Sequence, residues 1–172
     1  MSTMLTARTD YVRTGETEFP TGIPALKQAK RLPLHTLLNV TLANGLDLKS
    51  RVMRARWSAR QSANQGLCAT YDEFTEDLDL LTDLLGQRIT SLGISAVAVV
   101  KDVTRVSRLP PHPRTIDWDS GHVVAIRDSI ETTRRYTDAA IDAALAEGEV
   151  VSADILARLR RRLDVKSKAL IG

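Results

Sequence analysis

The stretch LCATYDEFTEDLDLLTDLLGQRITSLG, residues 67–93, decides the fold. Leu67, Tyr71, Phe74, Leu78, Leu81, Leu85, Ile89 and Leu92 recur by threes and fours, the spacing that puts side chains on one face of an α-helix, and Gly93 follows as a stop. Upstream, Leu34, Leu38, Leu42, Leu46, Met53 and Trp57 predict a first helix from Leu34 to about Arg60, with Gln61-Ser62-Ala63-Asn64 as turn and capping chemistry. Pro20, Pro24 and Pro33 interrupt anything earlier, so residues 1–33 read as a mobile arm. Downstream, Ile94 to Val100 is β-branched but has no second strand to pair with, which favours a short helix or an ordered connection. Arg108-Leu-Pro-Pro-His-Pro113 breaks regular structure. Asp117, Asp119 and Ser120 offer N-caps for a third helix over Gly121–Glu147, and Gly148 ends it. Ser152, with Asp154 in the first turn, is expected to cap a fourth helix through Lys168, leaving 169–172 as the C-terminal end. The pattern is all-α: a four-helix bundle over residues 34–168, with one long crossover carrying a short extra helix.

Composition fits one domain. A chain of 172 residues, 43% of them hydrophobic, can bury a core without disulfides or metals. The seven aromatic residues are too few for base-stacking platforms or an aromatic-rich β-sandwich. The single cysteine, Cys68, excludes an intrachain disulfide and any cysteine-only zinc or iron–sulfur site, and points to a reducing compartment. No run approaches the roughly 20 apolar residues of a membrane helix, and the N-terminus lacks the apolar core of a signal peptide, so a cytoplasmic protein is expected.

A net charge of +3 is only mildly basic, but its distribution is uneven. Lys49, Arg51, Arg54, Arg56 and Arg60 precede an acidic segment with Asp72, Glu73, Glu76, Asp77, Asp79 and Asp83, so the two segments are expected to pair. The basic set Arg158, Arg160, Arg161, Arg162, Lys166 and Lys168 is the best candidate for touching DNA phosphate, assisted by Arg8, Arg13, Lys27, Lys30 and Arg31 of the arm.

On the second helix Asp72, Glu76, Asp79 and Asp83 form one carboxylate stripe, continued by Gln87. Most such stripes are solvated or ion-paired faces; the sharper reading is a cation site built between helices. A di-iron bundle of the Glu-x-x-His type is excluded, because that motif is absent. His35, His112 and His122 read as surface or capping residues with no metal pair among them, and Cys68 reads as a buried thiol.

Four stretches, in order, resemble the Dps family of small ferritin-like proteins: Leu-Asp-Leu-Lys49 leading to Ala-Arg-Trp57; Tyr-Asp-Glu-Phe74 through Leu-Leu-Gly-Gln-Arg88 to Ser-Leu-Gly93; Ser-Arg-Leu-Pro-Pro-His-Pro113; and Asp-Ser-Gly-His-Val-Val124. The resemblance implies a ferritin-like four-helix bundle, twofold dimers assembling into a hollow dodecamer, iron oxidised by peroxide at sites across the dimer interface and stored inside, and DNA bound by basic flexible ends.

Carried across position by position, the family's five iron ligands fall here on Arg56, Cys68, Asp72, Asp83 and Gln87. Asp72 and Asp83 keep the metal-binding group; Arg56 and Cys68 replace histidines and Gln87 replaces a glutamate. A guanidinium keeps its proton, repels ferrous iron and offers carboxylates a forked partner, so Arg56 is expected to face Asp72 or Asp83 across the dimer and leave the inherited centre silent. The favoured expectation is a Dps-like shell subunit for iron storage and DNA or oxidative-stress protection, as a homo-oligomer or co-assembled with an active relative. The alternative is an iron-oxidising mini-ferritin with a relocated carboxylate site at Glu76 and Asp79.

Overall fold

In the computed structural model, which describes Ala29, residues 32–116 and residues 118–171, Pro33 fixes the start of α1 (Leu34–Gln61): its carbonyl accepts from the amides of Thr36 and Leu37. Asn64 caps α2 (Gln65–Ser91) by accepting from the Leu67 amide, and Ala63 before it takes a left-handed φ of 58°. A short helix, α3 (Val100–Val106), lies in the crossover; α4 (Asp119–Ala146) and α5 (Val150–Ala169) follow, separated by a turn with Gly148 at φ 75°.

α1 packs on α2 and α4, and α5 on α4 and α2, which closes a square bundle. The start of α4 meets the α1–α2 turn through Asp119, whose carboxylate accepts from Ser62 Oγ at 2.8 Å and Asn64 Nδ2 at 3.2 Å. The end of α2 meets the start of α5, where Arg88 Nη2 lies 2.5 Å from Glu149 Oε2. α2 and α4 therefore run in the same direction, with α1 and α5 opposed to them, and the crossover travels the length of the bundle.

Two apolar clusters fill the interior. One joins Leu37, Leu38, Leu85, Ile89, Ala140 and Leu156; the other joins Leu48, Val52, Phe74, Leu78, Ile126 and Leu163. Each fully buried leucine contributes about 1.5–3 kcal/mol. Between them runs a hydroxyl-rich belt in which Thr82, Ser129, Thr133 and Thr137 each donate to the carbonyl four residues earlier, so their burial leaves no hydroxyl proton stranded. Here α1 and α2 approach closely at Gly45, where a Cβ would stand 2.8 Å from Thr82 Cγ2.

A row of polar side chains on α1 holds the crossover in register. Asn39 donates to Ser95 O and accepts from Val97 N; Asn44 Oδ1 accepts from Arg108 N at 2.7 Å; Asp47 accepts from Ser107 Oγ; Arg51 donates to Pro110 O; and Arg54 donates to Pro113 O and Arg114 O. The crossover runs parallel to α1 along this row.

The stripe expected on α1 holds only for its first half. Leu34, Leu38 and Leu42 are buried, but Trp57 is 60% exposed and the far core is built by Leu48, Val52, Ala55 and Ala59. A strict four-residue step outruns a helix of about 3.6 residues per turn, so the predicted stripe drifts off the core. Of the two forms expected for Ile94–Val100, residues 94–98 take the ordered connection, clamped by Asn39 at Ser95 and Val97, and the short helix follows at Val100–Val106. Ser152 is not the cap of the last helix: Glu149 holds that position and Ser152 Oγ donates to its carboxylate. Trp118, with no side-chain cap, precedes α4. Most of the expected arm lies outside the described residues, but its end is docked: Ala29 is buried in the first cluster and Leu32 packs against it. Leu170 is likewise buried in the second. Among the described residues, no helix is long and apolar enough to cross a membrane.

Candidate functional site

The antiparallel pairing of α1 and α2 decides where the inherited ligand positions go. Arg56 lies near the end of α1 and Asp72 in the second turn of α2, and the tight turn at 62–64 brings them face to face, with Arg56 Nε 3.0 Å from Asp72 Oδ1. The arginine–carboxylate pair expected across the dimer is made instead within one chain, because the tight turn already brings the two helices together. Cys68, one turn before Asp72, is partly exposed. Tyr71 is buried beside them with its hydroxyl unbonded among the described residues, and burial, together with Asp119 and Cys68 nearby, pushes its pKa up to about 12.

Asp83 and Gln87 lie three turns further along α2 and are exposed; Gln87 Nε2 donates to Asp83 Oδ2 at 2.7 Å. The five positions form two groups, Arg56 with Cys68 and Asp72 at one end of α2, and Asp83 with Gln87 towards the other. Asp79 is bound by Lys49 of α1, while Glu76 is exposed between Asp72 and Asp79. Adjacent segments of opposite sign therefore pair, through Arg56 and Lys49. Among the described residues, no three His, Cys, Asp or Glu side chains of one chain converge on a metal position.

The basic residues of α5 are largely committed. Arg158 pairs with Asp154 at 2.8 Å, Arg160 with Asp138 at 2.7 Å and with Asp164, and Arg162 with Asp77 at 3.5 Å. Lys166 is only 4% exposed, its Nζ 2.8 Å from Glu73 Oε2 and 3.7 Å from Asp77 Oδ2, so it is a packing residue between α5 and α2 rather than part of an exposed basic face. Arg161 and Lys168 are exposed. The arm's Arg8, Arg13, Lys27, Lys30 and Arg31 lie outside the described residues. An open groove of about 580 Å³ runs between α2 and α5, floored by Leu80, Leu84 and Val165 and rimmed by Arg158, Arg161 and Arg162.

The structure corrects one expectation about the histidines. His112 of the crossover and His122 of α4 stand with ring centroids 6.4 Å apart, and three of their nitrogens are buried without hydrogen-bond partners among the described residues. Burial and the flanking Arg51 and Arg54 hold His112 neutral to lower pH than a free imidazole, and burial and Arg54 do the same for His122, against the opposing pull of Asp47 and Asp119 respectively. Nothing in their ten-residue spacing signals this meeting; it follows from the path of the crossover. The nearby positive charge of Arg51 and Arg54 disfavours a bound cation.

No protein-family model matches the chain. A curated relative, the "DNA protection during starvation protein" of Agrobacterium fabrum, is 26% identical over 128 residues, 74% of this chain and 79% of the relative. Among solved structures, DpsC from Streptomyces coelicolor superimposes with a TM-score of 0.76 at 19% identity, covering 90% of this chain and 88% of that one. The Dps protein of Vibrio cholerae O1, described as a member of a broad superfamily of ferritin-like diiron-carboxylate proteins, gives 0.72 at 19% identity over 85% and 90%. The fold is the ferritin-like bundle of these proteins, and the resemblance carried by the four sequence stretches is borne out.

Proposed function

We propose that this Dps-like chain is a shell subunit acting in iron sequestration and DNA or oxidative-stress protection, and that its inherited iron-oxidising centre is silent. Its relatives are Dps proteins by sequence and by fold, which supports the class. One observation carries the rest: Arg56 Nε, at the position of the family's first metal-binding histidine, lies 3.0 Å from Asp72, the retained carboxylate. The guanidinium supplies the positive charge that a ferrous ion would supply. Cys68 and Gln87 remove a second imidazole and one negative charge from the same set. Iron is here the cargo and would-be substrate, not a resident cofactor.

In this reading the protein forms a homo-oligomer, a dodecamer of twofold dimers, alone or co-assembled with an active relative that oxidises the iron. The relocated alternative has less support, because Asp79 is already bound by Lys49 and only Glu76 is left unpaired on that stretch of α2 among the described residues. Contact with DNA would fall on Arg161 and Lys168, with the ion-paired arginines of α5 contributing only by exchanging partners.

Ferrous iron oxidation by peroxide tests the silent centre. The purified protein is expected to oxidise iron no faster than buffer, and the triple variant Arg56→His, Cys68→His, Gln87→Glu is expected to raise the rate at least tenfold. Oxidation by the unaltered protein that Asp72→Ala or Asp83→Ala abolishes would overturn the reading.

A further inference from the structure

The last stretch of the crossover, residues 110–116, lies on the bundle with little of itself buried. Pro111, Pro113, Arg114 and Thr115 are exposed, and Pro110 and Ile116 are half-buried. Two guanidiniums of α1 tie it down: Arg51 Nη1 donates to Pro110 O at 2.8 Å, and Arg54 donates to Pro113 O at 3.3 Å and Arg114 O at 2.7 Å. These bonds bracket His112, both of whose ring nitrogens are buried without hydrogen-bond partners among the described residues. Its ring stands 6.4 Å from that of His122, which is 3% exposed and has a buried, unpartnered Nδ1 of its own.

The charges facing this pair are unevenly matched. Among the described residues, α1 contributes Arg51, Arg54 and Asp47, and α4 contributes Asp119. Both carboxylates are already engaged: Asp47 accepts from Arg51 and Ser107, and Asp119 accepts from Ser62 and Asn64. A proton on either imidazole therefore adds a buried cation beside guanidiniums, and a second proton sets two imidazoliums 6.4 Å apart. Detaching residues 110–116 relieves this while exposing little apolar surface. Moving α4 instead would uncover Ile126 and Ile130, which are fully buried.

We propose that His112 and His122 form a proton-operated latch: acidification lifts the strap of residues 110–116 off α1, while the helices and the rest of the crossover, anchored by Val103, Val106 and Leu109, stay folded. Burial and the neighbouring guanidiniums keep both imidazoles neutral in the closed form, below their ordinary titration range. Lifting the strap restores titration near the ordinary value of about 6.5, so each histidine draws a proton into the open form as pH falls. Two such histidines raise the open-to-closed ratio about 100-fold between pH 7.5 and 5.5, and one raises it about 10-fold.

Electron paramagnetic resonance of the full chain tests this, with a nitroxide attached at exposed Thr115 (Thr115→Cys in a Cys68→Ser background) and circular dichroism recorded alongside. The ratio of mobile to immobilised signal is expected to rise steeply from pH 7.5 to 5.5 at constant helical signal. The rise is expected to shrink to about 10-fold or less in His112→Gln and to vanish in His112→Gln, His122→Gln. A ratio that does not move with pH, a rise that persists in the double variant, or loss of helical signal in step with the mobile component overturns the latch. If the double variant does not fold, His112→Gln decides, its side chain being only half-buried: a rise as steep as with His112 present then overturns the proposal.

Discussion

Ala63 is the described non-glycine residue with a left-handed backbone, a conformation that crowds Cβ against the following carbonyl at a cost of roughly 1 kcal/mol. Ala63→Gly is expected to raise the melting temperature by about 2–4 °C, read from thermal unfolding. At the histidine pair the sign of the pH dependence follows from the shift. Both imidazoles titrate lower in the folded chain, so the unfolded chain binds more protons as pH falls through the ordinary histidine value near 6.5; stability is complete above that value and declines below it. Melting temperature is expected to fall between pH 7.5 and 5.5, with a shallower fall in the double variant His112→Gln, His122→Gln. Residues of this kind were the least legible in the sequence. The partner type of Arg56 could be read from the family's ligand positions, though the tight turn makes the pair with Asp72 within the chain and not across a dimer, whereas His112 and His122 meet only because the crossover follows the polar row on α1.

Among the elements, α2 was readable almost entirely, since Tyr71, Phe74, Leu78, Leu81, Leu85 and Ile89 are all buried as their spacing required. Which charges the other sides of α2 would meet was not, because a helix face carries no address. One flank turns Asp72 and Asp79 to α1; the other turns Glu73 and Asp77 to α5, where Lys166 is buried between them. Lys166 acts through both its stem and its charge, and the exposed Glu73 carboxylate is rehydrated readily when the charge is lost. Lys166→Met, which keeps the stem, is expected to lower the melting temperature by no more than about 3 °C, and Lys166→Ala by clearly more, measured side by side. The helix starts misled because Ser152 is a good cap by residue type, yet the turn through Gly148 places Glu149 there instead.

For the whole molecule, the bundle and its single crossover were legible from apolar spacing and proline placement, while the assembly lies beyond one chain. Native mass measurement is expected to give a species of about twelve subunits at neutral pH and moderate salt, the number the family resemblance implies; a monomer alone would separate this chain from shell-forming proteins. Exposed Trp57 and Trp118, at 60% and 62%, are apolar surface that such contacts would cover. The row of α1 side chains that holds the crossover has its own corollary. Asn39, Asn44, Arg51 and Arg54 grip main-chain atoms of residues 95, 97, 108, 110, 113 and 114, which fixes the register of the strap, while Val103, Val106 and Leu109 anchor it in the core. Foreign residues at the exposed positions 98–101 would leave both the grips and the buried anchors in place, which makes that stretch the natural place on the molecule to graft an epitope.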